Sequence, residues 1–340
     1  MGVDISGILE KKPIELTDLK GQTLAVDAFN TIYQFITIIR QPDGTPLMDN
    51  KGRVTSHLSG LFYRTCSILE KGITPIFVFD GAPHELKKAT LDARKEAKLE
   101  AMERMKQAIK EGDLEEAGRM AQRTAKITQV EIDESKQLLT LMGLPYIQAK
   151  SEGEAQCAYM AATNVVNAAA SQDYDSLLFG APIHVRNMTI AGKRKLPRRN
   201  MTVEVKPEIY DLNENLSALR ITREKLIWIA LLCGTDFNAG VHGIGAKKGL
   251  KLVLKHNSFD ELLKEIEQEM DWKPVYELFT NPPVVDVQKE QVQRKPYNPE
   301  GIRKLMIDEH NFSVERVENS LKRAFNEPED KGQSQLKQWF

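Results

Sequence analysis

Cysteine is scarce in this 340-residue chain: Cys66, Cys157 and Cys233 are far apart, odd in number and set among apolar neighbours. That pattern argues against a disulfide framework or a zinc site and fits a reducing interior. Long apolar runs are missing as well; the strongest, LIWIALLC at 226–233, is far too short to span a bilayer. No charged-then-apolar leader opens the chain, so a soluble intracellular protein, in cytoplasm or nucleoid, is expected. The start MGVDIS fits a myristoylation pattern formally, but no polybasic signal follows it and lipidation is not expected. Net charge is nearly absent, −1 from 47 basic and 48 acidic residues, so bulk charge names no partner and only its distribution can.

Aromatics are absent from His84 to Thr140, where Lys, Glu, Ala, Arg, Met and Gln dominate. Such a segment is strongly helical yet poor in core-building groups, and it reads as a helical insertion standing over the fold, broken at Gly112-Asp113. Elsewhere, strand-like runs (TLAVDAF, 23–29; TPIFVFD, 74–80; LPYIQA, 144–149; VVNAAA, 165–170) alternate with helical stretches such as 57–72. The alternation predicts an α/β fold, a mostly parallel twisted central sheet flanked by helices. A basic ribbon at 183–200 reads as a hairpin around Ala191-Gly192, and beyond it the chain is mostly helical. Expected regions are 1–98 and 116–258 as the two parts of the body, 84–140 as the insertion, 259–328 as a C-terminal helical region and 329–340 as a disordered tail.

Acids recur at the ends of the strand-like runs. Asp27 closes LAVD, Asp80 closes IFVFD, and Asp173 and Asp175 follow NAAASQ. Polar residues there can simply turn the chain toward solvent, but the carboxyl edge of an open α/β sheet is also where ligand sites form. Glu152 and Glu154 open a helix in SEGEA, where Ser151-x-x-Glu154 also fits a capping box, and Asp236 follows the apolar helix 226–233. Seven carboxylates at one edge would repel and raise one another's pKa unless cations shared the site. All-oxygen ligands without His or Cys select hard ions, Mg²⁺ with Mn²⁺ as substitute, and room for two ions suits in-line phosphodiester hydrolysis.

Two divalent ions among seven carboxylates leave roughly −3 before any phosphate arrives, so basic groups must help. Lys87 and Arg94 stand seven residues apart on one helical face, with Lys98 four further on. GVHGIGAKKG places Gly240, Gly243 and Gly245 in a turn before a helix that starts with Lys247 and Lys248, a phosphate grip within the helical turn 236–256. The ribbon carries Arg194 among six basic residues without an acid, and Tyr33, Arg40 and Arg64 on elements flanking Asp27 suit stacking on or steering a strand.

VDAFNTIYQF, VFDGAP, SEGEAQ, SQDYDSLLFG, GTDFN and GIGAKK, in this order across residues 21–249, resemble the motifs of the structure-specific 5′ nucleases, and the whole chain resembles an archaeal-type flap endonuclease. The resemblance implies a PIN-like nuclease core with a helical arch and a helix-turn-helix type DNA-binding element. It implies that Asp27, Asp80, Glu152, Glu154, Asp173, Asp175 and Asp236 bind two Mg²⁺ ions, and that Lys87 and Arg94 contact the scissile phosphate. It also implies a monovalent cation at the Gly-rich turn and Gly2 near the active site. Lys150 replaces a usual Pro, Phe237 a common Tyr, and TNVVNAAA lacks a usual glycine; none removes a ligand. The tail QSQLKQWF matches a sliding-clamp (PCNA) motif through Gln333, Leu336, Trp339 and Phe340. The expected activity is Mg²⁺-dependent cutting of branched, 5′-flap DNA by a monomer in lagging-strand replication and repair, with 5′-to-3′ exonuclease side activity. The alternatives are a related exonuclease or RNase, or a catalytically silent clamp-tethered scaffold.

Overall fold

Alternation within the short central strands decides which helices go where. The computed structural model describes residues 2–41, 44–190, 192–195 and 202–325. The strands of its seven-stranded sheet are β1 (Lys12–Pro13), β2 (Thr23–Asp27), β3 (Thr74–Phe79), β4 (Tyr146–Gln148), β5 (Ala168–Ala170), β6 (Ile183–Arg186) and β9 (Glu208–Asp211). A separate pair is β7 (Gly192–Lys195) with β8 (Thr202–Val205). The sheet order is β1-β9-β6-β5-β2-β3-β4, parallel from β6 to β4, with β9 and β1 antiparallel at the edge. Leu24, Val26, Phe77, Phe79, Ala168 and Ala170 join one apolar cluster, while Ala25, Ile76, Val78 and Ala169 join the other. Strands β2, β3 and β5 are therefore apolar on both faces, as a covered parallel sheet requires.

On the first face lie α1 (Ala28–Ile38), α2 (Ser56–Glu70) and, from much later in the chain, α13 (Pro299–Arg303) and α14 (Val314–Phe325). On the other lie α6 (Gly153–Ala162), α7 (Asp175–Leu178), α9 (Arg223–Cys233), α10 (Ala246–Lys255), α11 (Phe259–Glu265) and α12 (Lys273–Thr280). The short α8 (Leu212–Leu219) follows β9. Residues 226–232 of α9 are all buried, which explains an apolar run without helical periodicity. The stretch expected as one C-terminal region, 259–328, is thus divided: α11 and α12 cover one face and α14 the other.

The arom-free segment folds as α3 (Lys88–Glu111), α4 (Leu114–Arg123) and α5 (Gln129–Leu141). The break falls at Gly112, left-handed at φ +74°, and Asp113 caps α4 by accepting from the Glu116 amide at 2.9 Å. Helices α3 and α4 bury Ala101, Ala108, Ala117 and Met120, none of which belongs to either core. Helix α5 departs from the expectation: Leu138 and Leu139 lie in the first-face core, so only α3 and α4 stand apart. Two further readings are corrected. The strand expected at 23–29 ends at Asp27, because that side chain accepts from the Asn30 amide and starts α1. The ribbon expected as one hairpin begins as β6 inside the main sheet, and β7 pairs with β8 from Gly192↔Val205 to Lys195↔Thr202, so Gly192 lies in a strand; Ala191 is outside the described residues.

His184 on β6 ties stability to pH. It is fully buried, its Nδ1 2.7 Å from the Ser176 hydroxyl, its ring beside Tyr174 and Tyr210. Burial, and then the nearby Arg186 charge, push its pKa from 6.5 down to about 3. The unfolded chain accepts a proton that the fold refuses, so this stability is complete above pH 6.5 and is lost as pH falls toward 3. Replacing it, His184→Gln, should flatten the rise of unfolding free energy with pH by about 1.4 kcal/mol per pH unit in this window. Denaturant melts at several pH values measure this, and an unchanged slope would mean that the folded imidazole is protonated.

Candidate active site

The sheet brings the acids to one edge. β2 ends in Asp27, Asp80 follows β3, and the turn after β5 carries Asp173 and leads into Asp175, the first residue of α7. Strands β3 and β5 flank β2 on opposite sides, so the chain crosses over to the other half of the sheet at this point, where α/β sheets open a crevice. Glu152 and Glu154 come from the start of α6. Asp236 comes from a turn after α9 fixed by the Asn238 side-chain amide on the Leu231 carbonyl at 2.7 Å and by a Thr235 to Asn238 bond of 2.8 Å.

The capping-box reading of the glutamates fails. Glu152 is the N-cap of α6 without a side-chain cap bond, the buried Ser151 hydroxyl has no partner, and Glu154 accepts instead from the Ser171 hydroxyl at 2.5 Å. Both glutamates face the acids on the strands. Asp80 accepts from the Gly153 amide at 2.5 Å, and Asp175 from the Val3 amide at 2.9 Å. Gly2 lies so close that a Cβ there would fall 2.6 Å from the Asp175 carboxylate.

Burial and mutual repulsion dominate the electrostatics. Burial first, then Asp80 and Asp173, hold the Asp27 carboxyl well above its usual range. Burial followed by Asp175, Asp173 and Asp27 does the same to Glu154. Asp80 is pushed up to about 6 by burial and Glu152, against the Gly153 amide, and Asp175 to about 7 by burial, Asp173 and Asp236, against the Val3 amide. Lys87 answers this charge: its Nζ is 2.5 Å from Glu152 and 3.5 Å from Asp236, and these acids with Asp80 raise its pKa although burial alone would lower it. Arg94 reaches Asp236 at 2.5 Å. All seven predicted acids, Lys87 and Arg94 thus form one interacting set.

Among the described residues no three His, Cys, Asp or Glu side chains form a ready-made metal cage. Lys87 and Arg94 act as counter-ions to Glu152 and Asp236. The donor set nevertheless fits hard divalent ions, which take oxygen ligands and keep several waters rather than demanding an all-protein cage. Sequence reasoning missed Asn30, whose amide Nδ2 reaches Asp173 at 3.0 Å while its backbone caps on Asp27. The signal was the Asp-x-x-Asn spacing at a helix start. It also missed Ser171, which carries no signal without the fold.

The XPG N-terminal domain family matches residues 3–101 and the XPG I-region family residues 143–236. Flap endonuclease 1 of Pyrococcus furiosus is 53% identical over 342 residues, covering 100% of this chain and 99% of that protein. The chain belongs to the flap endonuclease 1 family. The flap endonuclease-1 structure of Methanococcus jannaschii superposes with a TM-score of 0.75 at 41% identity, covering 96% of this chain and 98% of that one. The catalytic core of Rad2 in complex with DNA substrate gives 0.68 at 26% identity, covering 92% and 96%. Asp27, Asp80, Lys87 and Arg94 fall in the first family region and the other five acids in the second.

The expected DNA contacts divide into two groups. Tyr33 and Arg64 are exposed on α1 and α2, and Lys247 and Lys248 are exposed at the start of α10, whose N-cap is Gly245, after a turn with Gly243 at φ +76°. Arg194 lies on β7. The clamp motif, Gln333, Leu336, Trp339 and Phe340, lies outside the described residues. Arg40 and Lys98, also expected at DNA, make hydrogen bonds within the protein. The Arg40 guanidinium donates to the carbonyls of Thr37 (3.1 Å), Gly44 (2.8 Å) and Ala121 (3.2 Å), and Lys98 Nζ donates to Ala125 at 3.1 Å. These carbonyls in and just beyond the last turn of α4 lack helical donors, which is where cations bind helices. Arg40 therefore ties α4 to the end of α1. Arg40→Ala should loosen α3–α4 and speed limited trypsin cleavage near residues 112–126 about tenfold, the effect of one lost hydrogen bond of ~1.4 kcal/mol. An unchanged nicking rate would show that the tie holds nothing.

Proposed function

We propose that this protein is a Mg²⁺-dependent structure-specific endonuclease that hydrolyses DNA phosphodiesters at the base of 5′ flaps, with 5′-to-3′ exonuclease side activity, in lagging-strand replication and repair. The observation that carries the reading is the gathering of seven carboxylates on one sheet edge, where burial and neighbouring acids push Asp27, Asp80, Glu154 and Asp175 up in pKa, a costly arrangement that only bound cations make useful. Asp27, Asp80, Glu152, Glu154, Asp173, Asp175 and Asp236 would hold two Mg²⁺ ions, which supply Lewis-acid stabilisation of charge on the phosphate oxygens. Lys87 and Arg94, now paired with Glu152 and Asp236, exchange those carboxylates for the scissile phosphate; with both ions counted they bring the site to about −1 before substrate enters.

The α3–α4 pair forms the arch over this edge and accepts the 5′ single strand. Tyr33 and Arg64 meet the strand near Asp27. The α9–turn–α10 unit grips the duplex through the start of α10 and its two lysines, with a monovalent cation held by the turn at 239–245, where a groove exposes Gly243 and Gly245. These contacts are to phosphate, so selection is by shape rather than base sequence. One chain carries every acid of the site, which is complete in a monomer. The tail motif tethers the enzyme to a sliding clamp (PCNA).

Incubated with a 5′-labelled double flap, plain single strand and blunt duplex, the protein should release only the flap, and only with Mg²⁺ rather than chelator. Asp175→Ala should lower single-turnover cutting by at least about a thousandfold while sparing binding. A variant that cuts like wild type removes Asp175 from the site; binding without cutting by the wild-type protein favours the clamp-tethered scaffold. Flap affinity should also fall with salt, log K dropping by about 0.9 per unit log salt for each phosphate contact, and a flat response would contradict the lysine contacts.

A further inference from the structure

Asp173 stands in a turn without regular structure between β5 and α7. Its own fixings are slight: a 3.3 Å bond from its amide to the Ser171 hydroxyl, and the Asn30 side chain on its carboxylate. The residues on either side of it are held much more firmly, and by one side chain. Arg186, at the end of the neighbouring strand β6, donates from Nε to the Gln172 carbonyl at 2.9 Å, donates from a terminal nitrogen to the Tyr174 hydroxyl, and lays its guanidinium 4.3 Å from the Tyr174 ring centre. Parallel pairing of Ala170 with Val185 sets this reach, because Arg186 then lies one residue beyond the end of β5, level with the turn.

The grip is backed from behind. The Tyr174 hydroxyl lies 3.2 Å from that of Tyr210, which donates to Glu208 at 3.0 Å, and Glu208 also pairs with Lys11 at 2.6 Å. Glu208 is the register partner of Arg186 across the antiparallel edge. A planar fork that bonds a backbone carbonyl while stacking on a ring is a task for Arg, and Lys cannot do both.

We infer that Arg186 is a positioning residue for the nuclease centre: by clamping Gln172 and Tyr174 it fixes the turn that presents Asp173 and Asp175 to divalent ions. The inference rests on the reading of Asp173 as a metal ligand. Arg186 itself faces the turn and not the carboxylates, so its loss should act on metal affinity ahead of chemistry. Groups that orient ligands from behind are commonly worth 10–100-fold in metal affinity.

The test is Mn²⁺ binding to the full-length protein, followed by the electron paramagnetic resonance of free Mn²⁺, for wild type, Arg186→Met, Arg186→Lys and Asp173→Asn. Arg186→Met should bind Mn²⁺ about 10–100-fold more weakly, and its cutting rate should recover as Mn²⁺ is raised. Arg186→Lys keeps the charge and the stem, so it should fold even where Arg186→Met does not. It should still bind severalfold more weakly, because the fork is gone. Flap binding in chelator should match wild type for both. Wild-type Mn²⁺ affinity in the Arg186 variants, with weakened binding in Asp173→Asn, would overturn the inference alone. Wild-type affinity in Asp173→Asn would overturn it together with the ligand reading. A selective loss of flap affinity in chelator would overturn it by making Arg186 a DNA contact.

Discussion

Like charges crowded at the dry edge of a sheet are the constraint around which this molecule is arranged. Carboxylates at Asp27, Asp80, Glu154 and Asp175 are buried or half-buried, and burial together with neighbouring acids raises the pKa of each. Everything adjacent relieves or fixes them. Amides of Val3, Asn30 and Gly153 donate to three of the acids, Ser171 donates to Glu154, and Lys87 and Arg94 reach down to Glu152 and Asp236. The N-terminal segment and α3 therefore do more than cover the site: their donors and cations let the acids sit side by side.

That arrangement also links the α3–α4 pair to the acids. Lys87 immediately precedes α3 and Arg94 lies within it, so the same ion pairs that compensate the acids hold the start of α3 down. The last turn of α4 is tied to the end of α1 through Arg40. On the proposed reading, a substrate phosphate that takes Lys87 and Arg94 from their carboxylates would release one anchor of the α3–α4 pair while the other stays.

Much of this was legible in the sequence because its signals are local. Apolar runs ending in Asp27 and Asp80 mark strands meeting a sheet edge, Gly112-Asp113 marks a helix break with its cap, and the lack of aromatics marks helices outside the core. What could not be read depends on contacts distant in the chain. Leu138 and Leu139 seat α5 in the core although its composition continues that of the arch. The ribbon at 183–200 contains a core strand because β9, twenty residues later, pairs with β6. Arg40 looks like a free cation just beyond α1 until α4 brings the Ala121 carbonyl to it. Ser151-x-x-Glu154 satisfies a local capping rule, yet Ser171 takes Glu154 away from it. Tertiary partners, invisible to spacing, won each time.

Repulsion among the acids is tested most directly by melting the protein at about pH 8 in chelator and in Mg²⁺, as wild type and as Asp175→Asn, which keeps an acceptor for the Val3 amide. In chelator the variant should melt about 2 °C or more above wild type, since one like charge is removed. Mg²⁺ should then stabilise wild type more than the variant, because bound ions stabilise only the state that holds them. A variant that melts at or below wild type in chelator, with the same response to Mg²⁺, would show that the carboxylates do not strain the fold and that cations are not what the edge was built to hold.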